Sequence, residues 1–156
     1  EETVEVILSH VLKGKDIAFP TLGDPLLYST FFYIHDKLLN LLPSLQVVIV
    51  PGVSSMSASS ASAGMPLCLG SERIALLPAT YEEDKLKETL LNFDTIILMK
   101  VNKIFDKILG ILEELRLVDS AVVVEMASTD KERIIKNLRS IKGENLHYFT
   151  TMIIKK

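Results

Sequence analysis

Gly23 and Asp24, in the run Leu-Gly-Asp-Pro-Leu-Leu-Tyr-Ser-Thr at 22–30, are suited by type to bind a polar ligand. So are Ser54 and Ser55, which close the run Val-Pro-Gly-Val-Ser-Ser at 50–55. A glycine lets a ligand or a second backbone approach closely, and Asp24 adds a carboxylate. Pro25 suits the first position of a helix, and the two serines offer hydroxyls at the start of another. Each run lies where an apolar segment gives way to a helix-like pattern, so both mark strand ends. In open α/β sheets, ligands bind at such ends. Taken one at a time, each run is equally explained as a routine helix cap.

The elements that must hold these residues follow from periodicity. Val4, Ile7, Leu8, Val11 and Leu12 recur at helical spacing and Gly14 stops them, which predicts a helix over 2–13. A short strand is expected over 16–21, a helix over 26–42 closed by Pro43, and a β-branched, charge-free strand over 46–50. Ser and Ala fill 54–63 almost completely and form a helix of small side chains, with Gly64 as its stop. Beyond Gly70 the pattern predicts strands over 73–78, 94–100, 121–126 and 147–154, with helices over 82–91, 102–115 and 130–138. The alternation implies an α/β fold with parallel sheets. The Gly- and Pro-containing, uncharged segment 65–70 is the expected boundary between a first domain, 1–69, and a second, 70–156. Its apolar composition places it in the contact between the halves.

Composition narrows the function. The chain has 156 residues, is 48% hydrophobic and 24% charged, and carries a formal net charge of −3, which supplies no basic field for nucleic acid. Cys68 is the single cysteine, so no internal disulfide and no cysteine zinc site is possible, and a reducing cytoplasm is the expected home. His10, His35 and His147 stand too far apart to suggest a metal site. No charged residue lies between Lys37 and Glu72, yet Pro43, Pro51, Gly52, Gly64 and Pro66 break that stretch and its serines are too polar to span a membrane.

In order and spacing the two runs resemble those of the tetrapyrrole (corrin/porphyrin) methylases, S-adenosylmethionine-dependent enzymes of cobalamin and sirohaem biosynthesis. Gly-Met-Pro-Leu at 64–67, Leu-Leu-Pro-Ala at 76–79 and Ile-Leu-Met-Lys-Val at 97–101 look like the C20-methylating branch, whose acceptor is precorrin-2 or cobalt-factor II. The resemblance implies a two-domain α/β fold, each domain a sheet with flanking helices. The chain begins on the helix that would precede the third or fourth strand of the first domain, so that domain is expected to be truncated at its N-terminus, without the glycine-rich first-strand loop. Carried over residue by residue, the donor would lie against the backbone of Leu22, Gly23 and Asp24, with Tyr28 and Ser29 behind. Ser54 and Ser55 would bind its amino-acid or ribose side. Met99 or Lys100, Met126 and Ala127, and Thr150 or Thr151 would close over the adenosine. The macrocycle's carboxylates call for cations, with Lys100, Arg73 and Lys103 as candidates by position. Tyr28 is a candidate orienting hydroxyl, and no catalytic residue is assigned. The family is dimeric, so a homodimer is expected. Three other readings of the same residues are an inactive folded remainder, a dimerisation module, and a related methylase of the diphthine synthase type.

Overall fold

The computed structural model describes residues 2–79 and 82–156. It divides into two compact units, Glu1–Ser54 and Ser55–Lys156, so the segment 65–70 lies inside the second.

In the first unit, α1 (Glu2–Val11) ends as expected near Gly14, whose φ of 72° is the left-handed conformation that closes a helix. It packs on α2 (Phe31–Leu41), which starts later than the periodicity suggests. The reason is local. The Asp24 carboxylate accepts the Leu26 N–H at 2.8 Å and the Asp24 carbonyl accepts that of Leu27, so residues 24–27 turn before any helix begins. The Ser29 hydroxyl then accepts the Phe31 N–H and opens α2. Residues 16–21 and 46–50 run without a hydrogen-bonded partner and form no strand. β-Branched composition favours extension, but a strand exists only through its ladder; Val48 and Val50 are 87% and 73% exposed. The expectation of a sheet in each domain is therefore corrected: among the described residues only the second unit has one.

That unit opens with α3 (Ser55–Ala63), the Ser/Ala helix. There follow β1 (Ile74–Pro78), α4 (Glu83–Asn92), β2 (Thr95–Met99), α5 (Phe105–Glu114), β3 (Ala121–Glu125), β4 (Arg133–Ile135) and β5 (Thr150–Lys155). The sheet order is β1-β2-β5-β3-β4. Alternation along the strands splits the core into two layers. Ile96, Leu98, Val123, Met152 and Ile154 meet Leu86 and Leu90 of α4 and Ile108, Leu109 and Leu112 of α5. Ile97, Val122, Val124 and Ile153 meet Met56 and Ala63 of α3 and Met65 and Leu67 beyond it. Small side chains let α3 lie close to the sheet.

Two expectations fail here. Among the described strands only the β1–β2 pairing is parallel; β5 pairs antiparallel with β2 and β3, and β4 with β3, so the sheet is mixed. The cause is the second failure, since the helix expected over 130–138 is instead β4 and a 3-10 turn at Leu138–Ile141. A parallel connection needs a crossover, and this stretch returns as a hairpin.

Candidate functional site

Gly52 accounts for the geometry of the candidate residues in the first unit. A Cβ built on it would stand 2.2 Å from the Gly23 carbonyl oxygen and 3.5 Å from the Asp24 Cα, both backbone atoms. No side chain fits there, so the two runs read from the sequence are in backbone contact. Gly23 itself adopts φ 91°, a region in which L side chains are strained. The structure therefore brings Leu22, Gly23 and Asp24 against the loop that leads into Ser54. Tyr28 also has a left-handed backbone, φ 52°, unusual for a bulky residue. The Ser29 hydroxyl accepts the Phe31 N–H at the start of α2, so it is already engaged as an acceptor. Ser54 is buried. Among the buried hydroxyls without a hydrogen-bond partner are Thr21 Oγ1, next to the first run, and Ser55 Oγ, at the start of α3. A buried hydroxyl without a partner carries a desolvation cost that a ligand's polar atom would relieve.

The candidate residues of the second unit lie at one end of the sheet. Met99 ends β2 and stands opposite Thr151; Glu125 ends β3 and stands opposite Thr150. The next residue on each strand turns away with positive φ: Lys100 at 62° and Met126 at 49°. Their N–H groups donate to Thr150 O at 3.1 Å and Phe149 O at 2.8 Å. Met99, Lys100, Met126, Ala127, Thr150 and Thr151 thus assemble at one end. Of the five non-glycine residues with positive φ among those described, Tyr28, Lys100 and Met126 are residues singled out from the sequence. Such backbone states persist where the surroundings impose them, and they concentrate at ligand sites.

The cation candidates separate. Lys100 Nζ sits 5.8 Å from the centroid of the Tyr148 ring at the site edge. Lys103 follows it by one short turn and is exposed. Arg73 precedes β1 at the opposite edge, where its guanidinium bonds the Asn92 carbonyl and its backbone N–H donates to Asp94, so it is remote from the strand ends that carry the site.

Sequence reasoning missed the residues around Met126. An open cavity of about 570 Å³ lies there, with Glu125, Arg133, Asn145 and His147 in its wall. The Glu125 carboxylate accepts from Arg133 Nη1 at 2.9 Å and from the His147 N–H at 2.7 Å. One signal was available: Glu125 is a charge at the end of the apolar run 121–124, and a buried charge needs a partner. A second carboxylate, Glu132, accepts from the Ser62 hydroxyl and the Ser128 N–H, both at 2.6 Å. These bonds, the serine's first, hold its pKa below the ordinary 4.5. They tie the end of α3 to the turn after Met126. Among the described residues there is no His/Cys/Asp/Glu cluster able to hold a metal, and no helix long and apolar enough to cross a membrane.

The chain is 30% identical over 156 residues to the cobalt-precorrin-2 C(20)-methyltransferase of Salmonella typhimurium, a match covering 99% of this chain and 65% of that protein. It is 30% identical over 152 residues to the precorrin-2 C(20)-methyltransferase of a Sinorhizobium species, covering 97% and 60%. The chain therefore spans somewhat under two-thirds of the length of these relatives. Among solved structures, it superposes with a TM-score of 0.65 and 22% identity on the uroporphyrin-III C-methyltransferase of Thermus thermophilus in complex with S-adenosylhomocysteine. That superposition covers 97% of this chain and 71% of the other. The family model of the tetrapyrrole (corrin/porphyrin) methylases matches residues 1–141, and the chain belongs to that family.

Proposed function

We propose that the whole protein transfers the methyl group of S-adenosylmethionine to C20 of precorrin-2 or cobalt-factor II, a step of cobalamin biosynthesis. The observation that carries this reading is the backbone contact between Gly52 and the Gly23–Asp24 turn, which joins the two runs into one loop pair. The residues present suit the donor. Thr21 Oγ1 and Ser55 Oγ are buried hydroxyls without partners, as an amino-acid head or a ribose would use. In this reading the backbone of Leu22, Gly23 and Asp24, with Tyr28, Ser29, Ser54 and Ser55, serves the amino-acid and ribose side. Met99, Lys100, Met126, Ala127, Thr150 and Thr151 serve the adenosine.

The donor, when bound, would supply its sulfonium-activated methyl to an electron-rich meso carbon, S-adenosylhomocysteine leaving as the CH3–S bond breaks and the meso proton passing to solvent. Such a displacement needs alignment more than an acid or a base. In this reading the backbone at 22–24 binds the donor, and alignment of a well-oriented pair contributes on the order of 7–11 kcal/mol. The surroundings of buried Thr150 and Thr151 limit water, which favours loss of the sulfonium charge. With the Lys100 backbone on the adenosine side, its ammonium and that of Lys103 are left to meet the acceptor's carboxylates. The family resemblance supports a cytoplasmic homodimer.

The test is turnover. Full-length protein with labelled donor is offered precorrin-2 and cobalt-factor II separately, and binding of S-adenosylhomocysteine is measured by calorimetry. Methylation of either acceptor at C20 is the expected result, and which one reacts assigns the metal state. Absence of S-adenosylhomocysteine binding contradicts the reading, as does methylation of a protein acceptor in place of a tetrapyrrole.

A further inference from the structure

Glu125 is the one charged residue of β3 and is 4% exposed, with four buried apolar residues before it. A carboxylate removed from water is tolerated when charge and hydrogen bonds compensate it, and Glu125 has both. Arg133 stands directly opposite in register and gives it Nη1 at 2.9 Å; the His147 N–H gives a second bond at 2.7 Å. The other arm of Arg133, Nη2, reaches Glu144 Oε2 at 3.0 Å. One guanidinium thus joins the end of β3, the start of β4 and the segment that leads into β5.

That segment is bonded in turn to the site edge. His147 Nδ1 accepts the Phe149 N–H at 3.0 Å, the His147 carbonyl accepts the Thr150 hydroxyl, and the Phe149 carbonyl accepts the Met126 N–H at 2.8 Å. Residues 147–150 and 126 form one hydrogen-bonded unit anchored through Glu125. Met126, with φ 49°, is part of this unit, and such backbone states persist where the surroundings impose them.

We propose that Glu125 and Arg133 are a positioning pair for the donor site, fixing Met126, Ala127 and Thr150 in the arrangement that receives the adenosine. This rests on the donor reading given above. Neither side chain is asked to touch the reacting atoms. A hairpin this short needs no buried charge to form, since apolar cross-strand pairs serve equally well, and the charge lies beside the left-handed turn at Met126.

Another ion pair provides the control. Glu72 and Lys155, 2.6 Å apart, sit at the opposite end of the same sheet, where Lys155 stands opposite Thr95. In full-length protein, Glu125→Gln and Arg133→Ala should weaken S-adenosylhomocysteine binding by about tenfold or more and raise the donor KM to match, with the acceptor KM within twofold. Arg133→Lys should stay within threefold of wild type. Glu72→Gln should leave donor affinity unchanged even where it lowers Tm as much. Wild-type affinity in Glu125→Gln overturns the inference, as does equal weakening in Glu72→Gln. If Glu125→Gln does not fold, the contrast between Arg133→Ala and Arg133→Lys decides. Should the wild-type protein itself not bind S-adenosylhomocysteine, the donor reading fails, and amide exchange judges the pair alone. Tenfold faster exchange at His147 and Met126 in the Arg133→Ala variant, but not in Glu72→Gln, supports it; equal protection overturns it.

Discussion

Gly52 shows how much one missing side chain can decide. Its hypothetical Cβ overlaps the Gly23 carbonyl at 2.2 Å, whereas a Cβ on Gly14 meets nothing within 4 Å. Gly52→Ala must push two backbones apart, at a cost of about 1–3 kcal/mol for overpacking, and should weaken S-adenosylhomocysteine binding by at least tenfold. Gly14→Ala meets only the left-handed backbone penalty, about 1–2 kcal/mol, and should leave donor affinity unchanged. Denaturant unfolding and calorimetry on both variants check the pair, and equal affinities would break the link between loop contact and donor binding. At this scale the contact between the two runs was legible in the sequence, because the glycines sit in runs whose types announce close approach. Glu125, Arg133 and His147 were not legible as a group. Their bonds join residues distant along the chain, and no local pattern records a pairing across a hairpin.

The elements read correctly are those whose apolar period is long. α5 buries Phe105, Ile108, Leu109, Ile111 and Leu112 on one stripe, and β2 and β3 are buried almost throughout, so periodicity alone finds them. The segment 130–138 misleads because Ile134, Ile135 and Leu138 also satisfy a helical spacing. What decides is the open edge of β3, which Arg133–Ile135 covers with a ladder. Likewise 46–50 has strand composition and no ladder. α3 lies at the other extreme, with little amphipathic pattern, and is held by small size. Ser59 is fully buried and its hydroxyl has no partner. Ser59→Ala should therefore stabilise the protein, by about 1 kcal/mol, because it removes an unsatisfied polar group at almost constant volume. Ser59→Leu should destabilise it by about 1–3 kcal/mol by lifting the helix from Ile97 and Val122. Chemical denaturation resolves both, and a loss of stability in the alanine variant would mean that the hydroxyl is bonded in solution.

Across the whole molecule, charge is spread over surface pairs, and the pattern has a sign that pH exposes. Glu72, bonded by Lys155, Glu83, bonded by Lys107, and Glu132, bonded by the Ser62 hydroxyl, are each held below the ordinary 4.5. Asp94, which accepts the Arg73 N–H, lies below 3.8. In every case the folded chain releases its proton more readily than the unfolded chain, so the unfolded state binds more protons in the acid window. Stability must then rise with pH through that window and level off above it. Tm is expected to stay nearly constant from pH 7 to about 5, then fall as pH drops below about 4.5. Because these groups are partly exposed, high salt should shrink the contribution of the ion-paired ones. Glu132 separates this effect from general acid unfolding, since its partners are a hydroxyl and a backbone amide. Glu132→Gln should be less stable than wild type at pH 7, and the gap should close as pH falls through the depressed pKa, where wild-type Glu132 is itself protonated. A gap that keeps its size from pH 7 to pH 3 would show that the carboxylate's charge contributes nothing to the tie between α3 and the turn after Met126.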